Sequence, residues 1–328
     1  MKSIAVIGQG FVGGSVTTVF AERGFDVYVY DKVGKVAEGG IPILAPTVDA
    51  DITHLARLAG VSERRDVGEG TAVQNFAKAC EETDNFSGVF FVCLPTPMYE
   101  DGEADLSIVE NVLNELASVP GKRIAVVKST VPPGSTERWN KIFEGTGLRV
   151  VFNPEFFTEA NALDDMRNQN RIILGGPRPH INTVKLIFQR AFPKVPLIKT
   201  SSTTAEMVKY FTNVQLAARV VLSCELSQVC EALDKQGMNI DYDKVVEYAK
   251  HDPRLGGSHM AVPGPDGVPG ARGHCFPKDL NALIYVAKRL GVKPTVMSGI
   301  WEKNLEVIPS EHRDWEKMQG RAVSKKQR

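Results

Sequence analysis

The chain has 328 residues, 43% of them hydrophobic, so it can bury a large core, and its length predicts two domains of roughly 150 residues each. Its 39 basic and 39 acidic residues balance, which excludes a strong charge-driven attraction to nucleic acid or to an anionic membrane. Since it has neither an apolar run of about 18 residues nor a signal-peptide pattern, we expect a cytoplasmic protein with a small-molecule partner.

The first predicted elements are a strand, a tight turn and a helix. The run SIAVI leads into GQGFVG at residues 8–13, after which apolar residues recur at helical spacing. Glycines in this context let the backbone approach a pyrophosphate, which amides at the helix start bind. A second strand, DVYVY, ends at Asp31, where a carboxylate accepts ribose hydroxyls and repels a 2'-phosphate. An ordinary glycine turn is the alternative, but the whole pattern predicts NAD bound by Gly8, Gly10, Phe11, Val12, Gly13 and Asp31.

Four further strands are predicted from the runs GVFFVCLP, RIAVVKST, RVVFNP and RIILGG, several of them separated by helical patterns. Alternation of strands and helices is typical of a doubly wound parallel sheet. The sequence therefore predicts an α/β, Rossmann-type domain over residues 1–200.

A long helix follows, because no proline or glycine occurs between Pro196 and Gly237. Thr203 and Glu206 have the spacing of a capping box, and a helix from there to Lys235 would extend roughly 50 Å. Such a helix is too long for a crossover, so we expect it to begin a helical domain, residues 201–308, and to pack against a twin in a homodimer.

A loop rich in glycine and proline, residues 253–275, comes after the long helix. Two more helices are predicted at residues 276–290 and 294–306. Beyond residue 308 the apolar periodicity is lost, which predicts a solvated polar tail over residues 309–328.

Cys275 lies directly before the predicted helix start FPKD, in which proline and an acidic residue suit the first turn. Amide dipoles at a helix N-terminus lower a thiol pKa from about 8.5, as a nucleophile requires. The alternative, a buried inert thiol, suits Cys93, Cys224 and Cys230 better, and the adjacent His274 is expected to be structural. The five cysteines are odd in number and include no Cys-x-x-Cys pair, so we expect reduced thiols and no metal site.

Two other pairs of residues have spacings that suit catalysis. Glu155 and Glu159 would share a helical face as general base and polar anchor, although such pairs are also common on solvated helices. Lys209 and Asn213, one turn apart on the long helix, can bind an oxyanion, unless the lysine simply extends along the surface.

Together these residues resemble the UDP-glucose/GDP-mannose dehydrogenase family, and the resemblance covers most of the chain. It rests on the glycine motif and on LPTP at residues 94–97, KSTVPPG at 128–134, NPEF at 153–156, DPRLG at 252–256 and GHCFPKD at 273–279. The last motif is the most specific.

The resemblance implies a four-electron oxidation of a nucleotide-sugar C6 alcohol, UDP-glucose first, to the carboxylate, with two NAD molecules and a covalent intermediate on Cys275. It implies catalytic roles for Cys275, Lys209, Asn213, Asp279, Glu155 and Thr130. It implies further cofactor contacts from Leu94, Pro95, Thr96, Ser129, Thr130, Glu159 and Lys278. It implies substrate contacts from Glu155, Phe156, Phe157, Glu159, Lys209, Asn213, Arg254, Gly270, Arg272 and Gly273, with Arg254 reaching across the dimer.

Alternatives are a UDP-N-acetylmannosamine or GDP-mannose dehydrogenase, a one-step hydroxyacid dehydrogenase, and a truncated non-catalytic NAD-binding partner. Members of the family continue for about a hundred residues into a further nucleotide-gripping domain, which we expect this chain to lack. GARG at residues 270–273 stands where the family usually has GFGG. We therefore expect the Arg272 guanidinium to contact a substrate phosphate.

Overall fold

The computed structural model describes residues 3–42, 71–83 and 86–325, which form two compact units. The first unit comprises Met1–Pro95 and Leu106–Lys209, and the second comprises Thr96–Asp105 and Tyr210–Arg328, each as far as it is described. The division falls inside the long helix, a few residues beyond residue 200.

The first unit is built on one eight-stranded sheet in the order β3-β2-β1-β4-β5-β6-β7-β8. The strands are β1 Ser3–Ile7, β2 Asp26–Tyr30, β3 Gly40–Pro42, β4 Phe86–Val92, β5 Arg123–Val127, β6 Leu148–Phe152, β7 Ile172–Gly175 and β8 Leu197–Thr200. Neighbouring strands are parallel except β6 and β7, which are antiparallel. The predicted doubly wound α/β fold is confirmed, with an antiparallel pair that the sequence analysis did not predict.

Helices surround this sheet: α1 Phe11–Glu22, α2 Ala72–Glu81, α3 Ser107–Ser118, α4 Ser135–Ile142, α5 Ala162–Arg167 and α6 His180–Ala191. Consecutive side chains of a strand point to opposite faces, so β4 contributes to two separate cores. Phe90 packs with Phe76 in one core, and Phe91 packs with Phe20 and Phe188 in the other. The central strands are therefore covered on both faces, as a parallel sheet requires.

The strand order reverses between β1 and β4, since β2 and β3 lie on one side of β1 and β4 to β8 lie on the other. Such a reversal opens a crevice at the carboxyl ends of the strands, where doubly wound sheets bind their ligands. The glycine turn at residues 8–13 follows β1 directly, so the topology places it at this crevice.

Helix α7, Ser202–Lys235, begins in the first unit and continues into the second. The second unit also contains α8 Tyr242–Ala249, α9 Phe276–Arg289, α10 Thr295–Val307, a 3-10 turn Ser310–His312 and α11 Asp314–Lys317. The predictions of the long helix, of α9 and of α10 are confirmed to within one residue at either end, whereas α8 was not predicted.

The predicted capping box at the start of α7 is wrong. The Ser201 hydroxyl accepts the Thr204 amide at 3.1 Å and so begins the helix in place of Thr203. The Glu206 carboxylate is fully buried and accepts the amides of Gly134 at 2.6 Å and Thr136 at 2.8 Å. It therefore caps α4 instead of its own helix.

The predicted solvated tail is also wrong over residues 309–325, while residues 326–328 lie outside the described residues. Trp315 and Ala322 are buried with Met98 and Ile308. The Met98 amide donates to the Ala322 carbonyl at 2.9 Å, and the Ser324 amide donates to the Met98 carbonyl at 2.8 Å. We call residues 309–325 the distal segment, and it is a packed part of the second unit.

Candidate active site

The glycine turn after β1 leaves room for a ligand at one position and for no side chain at two others. Gly8 has φ +89°, and a Cβ there would lie 2.4 Å from the Cys93 carbonyl oxygen. A Cβ on Gly13 would lie 1.9 Å from the Gly8 carbonyl oxygen, so both positions require glycine. At Gly10 an added Cβ meets nothing within 4 Å. The open space beside Gly10, at the start of α1, fits a pyrophosphate.

Asp31 follows β2 and is fixed toward this turn. Its Oδ2 accepts the Gln9 amide at 2.7 Å and its Oδ1 accepts the Val33 amide at 3.0 Å. A carboxylate has about four acceptor sites, so both oxygens can still accept ribose hydroxyls. This arrangement suits NAD, because a 2'-phosphate would meet a negative charge.

Other predicted cofactor residues lie at the carboxyl ends of β4 and β5. The Leu94 amide donates to the Ser129 hydroxyl at 3.0 Å, which joins the two strand ends. Ser129 and Thr130 are buried, and Pro95 follows Leu94. Thr96, also buried, belongs to the second unit, and Phe11 and Val12 form the first turn of α1.

Glu155 and Lys209 form a buried ion pair in the first unit. The Lys209 ammonium lies 2.9 Å from Glu155 Oε1 and donates to the Glu155 carbonyl at 2.7 Å. The second carboxylate oxygen, Oε2, accepts the Phe157 amide at 2.7 Å. Lys209 is therefore a buried cation fixed by Glu155, and not a lysine that extends along the surface. A fixed cation shielded from water is suited to bind an oxyanion.

A second buried lysine, Lys128, lies beyond β5. Its ammonium donates to Asn153 Oδ1 at 2.8 Å, and the Asn153 amide group donates to the Ile173 carbonyl at 2.8 Å. Val127 pairs with Phe152 in the sheet, so Lys128 and Asn153 occupy equivalent positions after neighbouring strands. This chain of hydrogen bonds fixes the start of the segment that carries Glu155.

The two lysines and the carboxylate change one another's protonation. Burial would raise the pKa of Glu155, but Lys209, the Phe157 amide and Lys128 together outweigh it and hold that pKa below its usual value. Burial lowers the pKa of Lys128 to about 8, despite the opposing effects of Cys93 and Glu155. Near neutral pH the cluster therefore contains an ionised carboxylate between cationic groups.

The prediction that Glu155 and Glu159 share a helical face is wrong, because residues 153–160 are not helical and α5 begins only at Ala162. Glu155 is buried and Glu159 is exposed. Between them, the Phe156 ring lies 4.0 Å from the Arg171 guanidinium carbon, and the Phe157 ring lies 5.6 Å from the Lys128 ammonium.

In the second unit, Cys275 occupies the N-cap position of α9, as predicted, with Pro277 in the first turn. Asp279, one turn into the helix, is buried and accepts the Asn213 side-chain amide at 2.6 Å. Its other oxygen lies 2.5 Å from the Lys278 ammonium. The thiol therefore lies at the positive end of a 14-residue helix, close in sequence to a fixed carboxylate.

All five cysteines are thiols. Burial raises the pKa of Cys93 to about 12, and it also raises the pKa of Cys80 and Cys224. Cys230 lies buried on α7. These four match the predicted inert type, so Cys275 is distinguished by its position at a helix start.

The two arginines predicted to contact substrate, Arg272 and Arg254, form ion pairs within the second unit. Arg272 lies 2.7 Å from Asp266 Oδ2 and 3.5 Å from Asp314 Oδ2, so a phosphate would have to compete with two carboxylates. Gly270 and Gly273 have φ values of +90° and +74°. Arg254, 87% exposed, pairs with Asp252 at 2.5 Å.

The structure thus brings together Glu155 with Lys209, and Asn213 with Asp279 and Lys278. The sequence analysis assigned no role to Lys128 or Asn153 and did not predict that Glu206 caps α4, although a lysine after the apolar strand IAVV was a signal of the buried cluster. Across the described ranges, no group of three or more His, Cys, Asp or Glu residues is arranged to bind a metal ion. Within the same ranges, no helix has the length and apolarity needed to cross a membrane.

Comparison with known proteins matches both units to one family. Residues 2–191 match the NAD binding domain of the UDP-glucose/GDP-mannose dehydrogenase family, and residues 203–306 match its central domain. UDP-glucose 6-dehydrogenase TuaD of Bacillus subtilis is 30% identical over 314 residues, covering 93% of this chain and 63% of TuaD. UDP-N-acetyl-D-mannosamine dehydrogenase of Pyrococcus horikoshii is 29% identical over 336 residues, covering 94% of this chain and 73% of that enzyme.

Among solved structures, a UDP-glucose dehydrogenase from Pyrobaculum islandicum superimposes with a TM-score of 0.70 at 26% identity, covering 93% of this chain and 68% of that one. This chain spans less than two thirds of the length of TuaD. The predicted NAD-binding domain and the predicted oxidoreductase class are confirmed at the level of the family. The chain belongs to the UDP-glucose/GDP-mannose dehydrogenase family.

Proposed function

We propose that this chain oxidises the C6 alcohol of a nucleotide sugar to a carboxylate by two successive hydride transfers, with Cys275 as the covalent nucleophile. The observation that carries the proposal is the thiol at the N-cap of α9, in a chain whose other unit has an NAD-type glycine turn. A hydride acceptor generates a carbonyl, and a thiolate is the side chain that captures one.

Bound NAD supplies the hydride acceptor for each of the two oxidations. Gly10 and the amides that begin α1 would hold the pyrophosphate, Gly8 and Gly13 would let the turn close tightly, and Asp31 would hold the ribose. The buried Lys209 stabilises negative charge on the reacting oxygen, and Glu155 holds the lysine at 2.9 Å and takes part in proton transfer.

The Cys275 thiolate adds to the aldehyde left by the first oxidation, and the carbonyl oxygen takes up a proton to give a thiohemiacetal. Loss of a second hydride and of that proton gives a thioester. Water then adds to the thioester carbon, the C–S bond breaks, and the carboxylate leaves while the thiol regains its proton. Asp279 positions this water, and Asn213 holds Asp279 at 2.6 Å.

UDP-glucose is the proposed substrate. Support comes from relatives such as TuaD and the Pyrobaculum islandicum enzyme, which are named as UDP-glucose dehydrogenases. A UDP-N-acetylmannosamine or GDP-mannose substrate is the second candidate, since the Pyrococcus horikoshii relative bears the former name at 29% identity. A cytoplasmic location stays a prediction.

The first experiment is a screen of UDP-glucose, UDP-N-acetylmannosamine and GDP-mannose by NADH absorbance at fixed protein concentration. We expect turnover with UDP-glucose, and we expect Cys275→Ser to stop after the first oxidation because a serine hydroxyl remains protonated at neutral pH. Protein that binds NAD but reduces it with none of the three sugars would instead indicate a non-catalytic NAD-binding partner.

We also propose a homodimer formed through α7. Leu222, Leu226 and Val229 recur at i, i+4 and i+7 and are each more than half exposed. An apolar stripe of this spacing on a helix suits packing against a twin helix. Arg254, highly exposed on its own chain, would then contact substrate in the partner.

A further inference from the structure

The loop that leads to the thiol, residues 270–275, has neither helix nor strand and is fixed by side chains from outside it. We call it the thiol loop. Asn304 on α10, 1% exposed, accepts the Ala271 amide at 2.8 Å and donates to the Ala271 carbonyl at 3.0 Å. Two hydrogen bonds from one buried amide fix the first half of the loop.

The second half of the loop is held by Asp314 in the distal segment. The Gly273 amide, two residues before Cys275, donates to Asp314 Oδ1 at 3.2 Å. The other carboxylate oxygen lies 3.5 Å from Arg272 Nη2, and the opposite guanidinium nitrogen, Nη1, lies 2.7 Å from Asp266 Oδ2. One carboxylate thus engages both a backbone donor and a charged side chain of the loop.

Asp314 is itself held in place, because its neighbours in the distal segment are packed. Trp315 is 2% exposed, and its ring centroid lies 5.8 Å from that of Trp301 on α10. Farther along, the Ser324 hydroxyl donates to Asp105 at 2.6 Å. The carboxylate therefore reaches the thiol loop from a fixed support.

The distal segment lies beyond residues 203–306, which match the family's central domain. The contact between Asp314 and the thiol loop is thus made by a part of the chain outside the match to the central domain. Since Arg272 is 15% exposed and already faces two carboxylates, the geometry favours a structural partner for this guanidinium over a phosphate.

We propose that Asp314 is a positioning residue for the Cys275 thiol, acting through the Gly273 amide and Arg272. The proposal rests on the proposed function for the use of the thiol, but the position of the thiol can be tested without turnover. If the loop is released, the thiol is no longer held at the amide dipoles that begin α9, so its thiolate fraction falls.

The test is the rate at which iodoacetamide alkylates Cys275, followed by peptide mass spectrometry from pH 5 to 9 in the whole chain. We expect Asp314→Ala to slow alkylation at pH 7 by about fivefold and to move the midpoint of the pH profile upward. Asp314→Asn keeps an oxygen for the Gly273 amide and should restore most of the rate. Glu316→Ala, an exposed change in the same segment, is the matched control and should behave as wild type.

Wild-type alkylation and an unchanged midpoint in Asp314→Ala would overturn the proposal. So would a loss of thermal stability in Asp314→Ala with no rescue by Asp314→Asn, because that pattern indicates a purely structural residue. If Arg272→Gly raises the KM for the sugar and leaves alkylation unchanged, the guanidinium binds phosphate instead. A wild-type chain that makes no NADH would refute the proposed function alone, while the alkylation series would still decide the role of Asp314.

Discussion

At the scale of single residues, the chemistry of the first unit depends on burying charge beside charge. Lys128 is 3% exposed, and a lysine so enclosed is costly to ionise, which is why its pKa falls to about 8. Its ammonium nevertheless holds Asn153 and helps to keep Glu155 ionised. We infer that the unfavourable desolvation of Lys128 is offset by the hydrogen bonds that fix the segment carrying Glu155.

Lys128→Met tests this interpretation through pH. The folded pKa lies below the ordinary value of 10.5, so between about pH 8 and 10.5 the unfolded chain binds a proton that the folded chain has released. The unfolding free energy of wild type relative to Lys128→Met should therefore rise with pH over this window, by up to about 3 kcal/mol. Urea unfolding at pH 8 and pH 10 measures it, with the exposed Lys141→Met as control. A flat difference would contradict the prediction.

The sequence predicted the position of Cys275 because its signals are local: proline and aspartate within four residues of the thiol specify a helix start. Lys128 was not predicted, because its burial depends on β6, β7 and α7, which approach it only in the folded unit. The prediction that Glu155 and Glu159 share a helical face was wrong for the same reason. Backbone conformation at residues 153–160 is set by the Phe157 amide and Lys209, and not by helical spacing.

At the scale of elements, the glycine turn and the start of α4 each depend on one geometric requirement. The turn needs an open surface at Gly10, and it needs Gly13 to lie close to the Gly8 carbonyl oxygen. The start of α4 needs an acceptor for the amides of Gly134 and Thr136, which Glu206 supplies from α7. Burial raises the pKa of Glu206 despite these hydrogen bonds, so the cap has a substantial desolvation cost.

Gly10→Ala and Gly13→Ala separate ligand binding from folding. Gly10 has φ −69°, which alanine tolerates, and its Cβ would meet no protein atom, so stability should change by less than about 0.5 kcal/mol. NAD affinity should nevertheless fall by at least about tenfold, because the methyl group would occupy the pyrophosphate surface. Gly13→Ala should lower both stability and NAD affinity. Calorimetric titration with NAD and thermal melts measure these effects, and wild-type NAD affinity in Gly10→Ala would refute the assignment.

Glu206→Ala should destabilise the chain by about 3 kcal/mol, because it leaves two amides at the start of α4 without an acceptor in a buried site. Glu206→Gln keeps one acceptor oxygen, so its free energy of unfolding should fall by less than that of Glu206→Ala. Glu231→Ala, exposed on the same helix, should be nearly neutral. Urea unfolding of the three variants provides the comparison, and equal stability of Glu206→Ala and Glu231→Ala would rule out the cap.

The length of α7 could be predicted, since an uninterrupted run without proline or glycine is a property of the sequence itself. The cap of its first turn could not be predicted, because Ser201 and Thr203 both have a hydroxyl that could accept a helix amide. The role of Glu206 could not be predicted either, because its partner Thr136 lies 70 residues earlier in the chain. Strands β3 and β8 were missed because three and four residues are too few to show a period.

At the scale of the whole molecule, two features concern regions far apart in sequence or in separate chains: the packing of the distal segment and the exposed surface of α7. The distal segment was predicted to be solvated because its sequence is polar, but a buried Trp315 and two backbone hydrogen bonds to Met98 fix it in the second unit. Such long-range partners leave no periodic signal. The homodimer through α7 was predicted from the length of the helix and stays a prediction, to which the structure adds the exposed apolar stripe of Leu222, Leu226 and Val229.

Leu226→Glu should convert a wild-type dimer into a monomer, because it places a charge in the middle of the exposed apolar stripe of α7. Leu186→Glu on α6, where the leucine is 56% exposed, is the matched control and should leave the dimer intact. Sedimentation velocity at micromolar concentration distinguishes the two. A wild-type monomer, or a Leu226→Glu dimer, would contradict the proposal.

The most direct test of the central claim is the number of NADH molecules formed per nucleotide sugar consumed. The proposed reaction removes four electrons, so wild type should form two NADH per UDP-glucose and release a uronate. Cys275→Ala should form at most one, because the aldehyde cannot be captured as a thiohemiacetal. One NADH per sugar in the wild type, or two in Cys275→Ala, would contradict the covalent double oxidation.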